Sequence, residues 1–274
     1  MIKFLKIFIP VSLKTKAKIL FKNYKIVIKN HKIIEHMEID FMLSRLHSQK
    51  KIKILEIGSH QGEIFEIISG NNFSHKFHLT CIEPNPKSYK ILKKKYSLRL
   101  KRFVKAKFYN IGISSSDEVL TFFSPTTSTA LFTQHKENLD KFNLQNESIE
   151  KVDIVTYKIE SLLKKQFIDD YYDIIKIDAE GSDYEITLQI IKNNISFKNL
   201  MVELDHDNLE SLSKILSQLD RYNAHLFLRD GIKTLTIEKL TSISELRILI
   251  KHFQKQIINP IAGNIVFVEK VKTF

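Results

Sequence analysis

The chain has 274 residues, 43% of them hydrophobic and 27% charged, and a net charge of +12; this suits one soluble α/β domain with an appendage and is short for two such domains. No run of about 18 or more uncharged apolar residues is present, which argues against a spanning helix. The single cysteine, Cys81, excludes an internal disulfide framework and points to a reducing, cytoplasmic compartment, and no Cys-x-x-Cys or Cys/His cluster offers a zinc site.

The surplus of lysine has two readings. Lys, Ile and Asn are abundant throughout while Gly and Trp are scarce, the mark of an AT-rich coding bias, and the lysines are spread over what would be solvated faces. The alternative is an anionic partner: nucleic acid, lipid or a phosphorylated substrate.

In chain order, "MIKFLKIFIPVSLKTKAKILFKNYK" alternates large apolar residues with lysines. Lys6 interrupts the apolar run and no small-residue cleavage site follows, so it is not a signal peptide. It reads either as a basic amphipathic helix on an anionic membrane surface, through residues 1–30, or as a helix packed on the domain. We place the boundary at 45/46, with a basic helical segment over 1–45 and the main domain over 46–274. "IKILEIG" is a short apolar strand ending in a turn at Gly58, and "GEIFEIIS" has helical spacing. "FHLTCIE" is a second strand, and the two histidines of "HKFH" at its entry are read as edge polarity. "NPKSYKILKKKY" is a helix with Asn85 as its N-cap and Pro86 in its first turn.

"VKAKFYNIGI" is the third strand, and "VLTFFS" and "VDIVTYKI" are further strand-like runs. "YDIIKID" and "KNLMVELD" are strands, each followed by a helix, "SDYEITLQIIKNN" and "NLESLSKILSQLD". "AHLFL" and "NIVFVE" close the chain, with a helical pattern in "SELRILIKHFQKQI" between them. Strands alternating with helices of this length predict a doubly wound, mainly parallel sheet, and the closing strands allow an antiparallel edge.

Ligands of such sheets bind beyond the carboxyl ends of the strands. Polar residues gather there: Glu56, Gly58, Ser59, His60, Gln61 and Gly62 after the first strand; Glu83, Pro84 and Asn85 after the second; Asn110, Ile111 and Gly112 after the third; Asp178 and Glu180 after the fourth; Glu203, Asp205 and His206 after the fifth. "EIGSHQG" lacks the Gly-x-Gly-x-x-Gly and Gly-Lys-Ser/Thr patterns, which disfavours pyrophosphate and triphosphate cradles. Gly58 and Gly62 would let the backbone approach a ligand. Glu83, 21 residues after Gly62, ends the next strand, where an acid accepts hydrogen bonds from both hydroxyls of a ribose. A nucleoside ligand without phosphates, such as S-adenosylmethionine, fits this pattern, with Glu56 orienting its amino acid end.

From about Lys51 to Glu269 the chain resembles the FkbM-type methyltransferases, a branch of the class I S-adenosylmethionine-dependent enzymes. "ILEIGSHQGE" is similar to the family's Asp-Val-Gly-Ala-Asn-x-Gly, "CIEPNPKSYKILKKK" to its Glu-Pro-Asn-Pro segment, and "VDIVTYKIESLL" to its Val-x-Val-x-Thr-Leu-Asp-x-Leu-Leu pattern. "NIGISSSDEVLTFF", "STALF" and "NLMVELDHDN" also fit, and "DIIKIDAEGSDYE" is nearly its Ile-Lys-Ile-Asp-Val-Glu-Gly motif. Glu56 stands where Asp is common, and His60 where Asn is common. The resemblance implies a Rossmann-like fold, S-adenosylmethionine as donor, and a hydroxyl of a sugar, glycan or related small molecule as acceptor. On it, Glu56, Gly58, Ser59, His60, Gly62, Glu83, Pro84, Asn85, Gly112 and Asp178 would bind the donor.

Methyl transfer to oxygen requires alignment of the two substrates and removal of the acceptor's proton. Asp178, Glu180 and His206 are the candidates for that proton. Asp183 is read as a helix-start acid. Asp178, Glu180, Glu203 and Asp205 offer hard oxygen ligands for a divalent metal, which we do not favour. The rival functions are an RNA methyltransferase using the basic surface, disfavoured because no aromatic-plus-basic RNA motif is evident, and a membrane-associated binding protein without turnover. The acceptor loop is expected over 124–142.

Overall fold

The computed structural model describes residues 26–30, 37–46, 51–62, 64, 67, 76–99, 104–128, 131–136, 139, 148–204, 209–229, 233–240 and 262–270. The strands are β1 (Ile26–Asn30), β2 (Lys51–Ile57), β3 (Lys76–Ile82), β4 (Val104–Tyr109), β5 (Gly112–Ile113), β6 (Glu118–Pro125), β7 (Ile149–Tyr157), β8 (Tyr171–Ile177), β9 (Ser196–Glu203), β10 (Tyr222–Arg229), β11 (Lys233–Leu240) and β12 (Ala262–Glu269). The helices are α1 (Met37–Ser44), α2 (Pro86–Arg99), α3 (Ile159–Lys164), α4 (Asp183–Lys192) and α5 (Leu209–Gln218).

Nine strands form one sheet in the order β1-β11-β10-β12-β9-β8-β2-β3-β4. β9, β8, β2, β3 and β4 are parallel, and β12, β10, β11 and β1 continue the sheet antiparallel. β8 and the second half of β2 are buried almost throughout, because both faces are covered there. On one face Leu55, Ile57, Ile175 and Ile177 pack with Ile186 and Ile190 of α4 and Leu212 and Ile215 of α5. On the other, Ile52, Ile54, Leu79 and Ile174 pack with Ile39 and Met42 of α1 and Leu92 of α2. The chain runs outward from β2 to β3 and β4, then returns to β8 on the other side of β2, so strand order reverses between β2 and β8. This is a doubly wound, mainly parallel Rossmann-like sheet.

Three features differ from the sequence reading. The strand "VKAKFYNIGI" ends at Tyr109, because the Asn110 side-chain amide donates to the Glu83 and Pro84 carbonyls, at 2.8 and 2.9 Å. Gly112–Ile113 instead joins β6 and β7 in a separate sheet, order β5-β7-β6. The antiparallel region is wider than one edge strand, and β12 lies between β9 and β10.

Within the segment expected to be helical over 1–45, Ile26–Asn30 is a strand, its register setting Ile26 opposite Ile237. Three β-branched residues in a row, Ile26, Val27 and Ile28, favour the extended chain. The helix α1 follows the expectation of helix but packs within the core, where Ile39, Met42 and Leu43 are buried and Asn264 donates to Glu38 at 3.0 Å. Residues 1–25, and with them the basic amphipathic stretch, lie outside the described residues, as does the expected helix "SELRILIKHFQKQI". Among the described residues no helix is long and apolar enough to cross a membrane.

Candidate functional site

The reversal of strand order opens a cleft at the carboxyl ends of β2, β3 and β8, about 750 Å³ counting the solvent at its mouth. It is built on three turns that hold one another. The first follows β2. Gly58 has φ +75°, and a Cβ there would sit 1.7 Å from the carbonyl oxygen of Asp178. The glycine is therefore required by the abutting end of β8 as well as by its own backbone. The Gly58 and Ser59 amides donate to the Ile82 carbonyl and the Asp178 amide donates to Ile57, which ties the ends of β3 and β8 to this turn. Ser59 is buried and its hydroxyl donates back to the Glu56 carbonyl at 3.0 Å, while the Gly62 amide closes the turn on Ser59 at 2.8 Å. His60 takes the left-handed conformation, φ 43°, unusual for a residue with a side chain.

The second turn follows β3. Glu83 is 4% exposed. Its carboxylate accepts from the His60 amide at 2.6 Å and the Asn85 amide at 2.8 Å. Burial pushes its carboxyl up to about 7, partly opposed by those two amides. Asn85 caps α2 as the sequence predicted, its side-chain oxygen accepting from the Lys87 amide at 2.9 Å.

The third turn follows β8. Asp178 and Glu180 both line the cleft. Glu180 is again left-handed, φ 48°, and Gly181 has φ 105°. Beneath the turn, buried Asp183 accepts from the Ala179 amide at 3.1 Å and the Gly181 amide at 3.2 Å, so it clamps the loop as well as starting α4. Burial, then the neighbouring Asp178, raise Glu180 to about 8 and Asp183 to about 6. At the end of β9 the same causes raise Glu203 to about 9. The cation in this group is Lys176, whose ammonium lies 3.1 Å from Asp178 and 4.0 Å from Glu56.

The small sheet roofs the cleft. Phe122 of β6 stacks on Phe132, centroids 5.1 Å apart, and both line it. A Cβ on Gly112 would meet Thr156 at 2.9 Å and Phe122 at 3.1 Å, so the glycine lets β5 pass under the phenyl ring. The segment after β6 is latched to the third turn: Thr133 donates to the Glu180 carbonyl at 2.8 Å, and Gln134 donates to the Ser182 hydroxyl at 2.7 Å.

Of the residues expected at a site, the cleft brings together Gly58, His60, Glu83, Pro84, Gly112, Asp178 and Glu180. Ser59, Gly62 and Asn85 support its walls without lining it. Glu56 is fully buried inside the sheet, between Cys81 and Lys176, and does not line the cleft. A direct contact from its side chain to a ligand is thus not what the geometry provides. His206 and Asp205 lie outside the described residues. Among the described residues no three His, Cys, Asp or Glu side chains are grouped to hold a metal ion. Sequence reasoning missed Ser182, Phe122 and Lys176, whereas Phe132 lies within the loop expected over 124–142. A lysine inside the apolar run "YYDIIKI" was the signal for Lys176, since a buried charge requires a partner.

A cleft at a topological switch point, walled by a buried acid after the second strand, is where doubly wound sheets bind nucleotide-like ligands. Among solved structures the chain is similar to the methyltransferase FkbM from Methylobacillus flagellatus KT, at 17% identity and a TM-score of 0.42, over 69% of this chain and 44% of that one. It thus spans less than half the length of that protein. It is also similar to precorrin-6y C5,15-methyltransferase from Geobacter metallireducens GS-15, at 12% identity and a TM-score of 0.39, over 87% and 94%. A methyltransferase from Pyrococcus furiosus aligns at 11% identity and a TM-score of 0.37, over 84% and 95%. No curated protein matches the chain in sequence. The methyltransferase FkbM domain matches residues 56–226, more than half of the chain and all three turns of the cleft; the chain belongs to the FkbM methyltransferase family.

Proposed function

We propose that the chain is an S-adenosylmethionine-dependent O-methyltransferase acting on a hydroxyl of a sugar, glycan or related small molecule. The observation that carries this reading is Glu83. Its buried carboxylate lines the cleft with one backbone amide on each oxygen. A carboxylate has about four acceptor positions, so capacity remains for two ribose hydroxyls. Ile57, Ile82 and Ile113 give the cleft an apolar wall suited to a flat base.

When bound, the donor supplies an electrophilic methyl group, and the protein's work is to bind, align and exclude water. The Gly58–His60 turn and Pro84 hold the nucleoside. Phe122 and Phe132 close the roof against water. Glu180 takes the acceptor's proton, because a carboxyl raised to about 8 is matched to a proton transfer near neutral pH. Asp178, beside Lys176, orients the acceptor hydroxyl. His206 is a further candidate for the proton.

Calorimetric titration with S-adenosylmethionine and its demethylated product is the first test; failure to bind either overturns the donor assignment. Incubation of the protein with isotopically methyl-labelled donor and separate pools of glycans, small alcohols and RNA tests the acceptor. Label is expected in the glycan or alcohol pool, and label in RNA alone overturns the hydroxyl assignment.

A further inference from the structure

The N-terminal halves of β2, β3 and β4 carry a second feature, on the opposite end of the sheet from the cleft. Ile52, Ile54, Phe77 and Leu79 point into the core shared with α1 and α2. By strand alternation Lys51, Lys53, His78, Lys105 and Lys107 occupy the other face. The register sets Lys53 beside His78, His78 beside Lys105, and Thr80 beside Lys107.

In a doubly wound fold helices normally cover this face. Here the described residues between β4 and β8 form β5, β6, β7 and α3 instead, and the cations stay open to solvent. Lys51 and Lys105 are exposed, and the side chains of Lys107 and Lys53 are 52% and 32% exposed. Asp169 lies 2.9 Å from Lys53 and 3.9 Å from Lys107. Lys51 and Lys105 have no carboxylate partner among the described residues. Partial burial, then Lys51, Lys105 and Lys53, hold the His78 imidazole below its ordinary value, with Asp169 opposing them.

Like charges facing one another across strands cost stability. Lysines on an edge strand protect against aggregation, which accounts for Lys105 and Lys107 on β4. It does not account for Lys51, Lys53 and His78, which lie on the interior strands β2 and β3.

We propose that this face docks the protein on an anionic phospholipid bilayer. The cations lie on a sheet, with strands about 4.8 Å apart, and form a diffuse array. None is an arginine, and the neighbouring aromatics Tyr109 and Phe167 are stacked on each other. Nucleic-acid surfaces rely on arginine forks and free aromatic platforms. Lysines acting as point charges suit the field of an acidic headgroup layer.

The test uses the full chain and sedimentation with vesicles of phosphatidylcholine alone or mixed with phosphatidylserine. A Lys51→Gln/Lys105→Gln pair is compared with Lys90→Gln/Lys94→Gln, which removes the same charge from exposed positions on α2. Each lysine near an acidic bilayer is worth about fivefold in partitioning, so the first pair should bind at least tenfold more weakly and the second nearly as well as the parent. Both pairs replace exposed side chains, and unchanged thermal melting will show that both are folded. Binding that ignores phosphatidylserine, equal loss in both pairs, or binding to a short single-stranded RNA without binding to vesicles would each overturn the proposal.

Discussion

Glu56 and Lys176 face each other in register across the parallel strands β2 and β8, their charged atoms 4.0 Å apart and neither side chain more than 3% exposed. Lys176 also reaches Asp178 on the cleft, so this one ammonium links the interior of the sheet to its mouth. Breaking a buried pair by removing one partner costs about 3–5 kcal/mol. Lys176→Met should lower stability by that order in urea unfolding. Adding Glu56→Gln should recover most of the loss, since no buried charge then lacks compensation. A double variant no better than the single one would mean that the two residues act independently.

Glu83 is expected to be the residue on which donor affinity depends most. Hydrogen bonds to a charged group contribute about 1.5–3 kcal/mol. Glu83→Ala should therefore weaken calorimetric binding of the demethylated donor by that amount. Part of the loss will come through the His60 and Asn85 amides, which the carboxylate also holds. Glu83→Gln, which can still accept through one oxygen, should lie between the two. Equal affinity for all three proteins would remove the ribose assignment.

Glu180 should show opposite effects on stability and activity. Its carboxyl is raised to about 8 by burial and by Asp178, so the folded protein resists its ionisation. Glu180→Gln should raise the melting temperature at pH 9 while lowering turnover by about 10²-fold or more, the range for a general base. Asp178→Asn should lower turnover too, but with a loss of stability through Lys176. A Glu180→Gln enzyme of normal turnover would assign the proton to another group.

The pH dependence of stability follows from four carboxyls. Asp183, Glu83, Glu180 and Glu203 are raised to about 6, 7, 8 and 9 from ordinary values of 3.8 or 4.5. Unfolding releases their protons at the ordinary values, so between about pH 4 and pH 9 the unfolded chain binds fewer protons than the folded one. Stability therefore falls as pH rises across that window. Melting temperature should be highest at the acid end of that window, near pH 4, and decline towards pH 9. Glu203→Gln should flatten the alkaline end of the curve, and a profile that rises with pH would contradict the burial of this group.

Gly58→Ala should be among the most damaging single changes. Its Cβ would overlap the Asp178 carbonyl at 1.7 Å, on a backbone with φ +75°. Strain and overpacking together come to about 2–6 kcal/mol. Circular dichroism and melting should report a loosened or unfolded protein, whereas a native melting curve would show that the β2 and β8 turns separate easily.

The parallel half of the sheet was legible because "IKILEIG" and "YDIIKID" are buried on both faces and end in turn residues. The cap on α2 was legible because Asn85 and Pro86 act locally. Glu56 was misjudged by one position. Alternation turns it away from the face of Leu55 and Ile57, toward Cys81 and Lys176. Whether a residue ends a strand or lies just inside it decides which group it meets. The roof was hidden for a different reason: "VLTFFS" and "VDIVTYKI" look like any strands. Their separation from the main sheet depends on Asn110 stopping β4 and on Gly112 fitting beneath Phe122, contacts between distant parts of the chain.

The place of β12 has a consequence for how the protein is made. It is synthesised after every other described strand, yet it lies between β9 and β10 and is their sole bridge in the sheet. While the chain is still emerging from the ribosome, the two halves of the sheet have no common strand. β1, translated early, waits for β11 before it can pair. From the completion of β10 at Arg229 until Ala262 is added, then, β9 and β10 each present a bare apolar edge. Non-local pairing of this kind is slow and prone to aggregation, so the nascent chain should depend on a chaperone until Ala262–Glu269 arrives to join them.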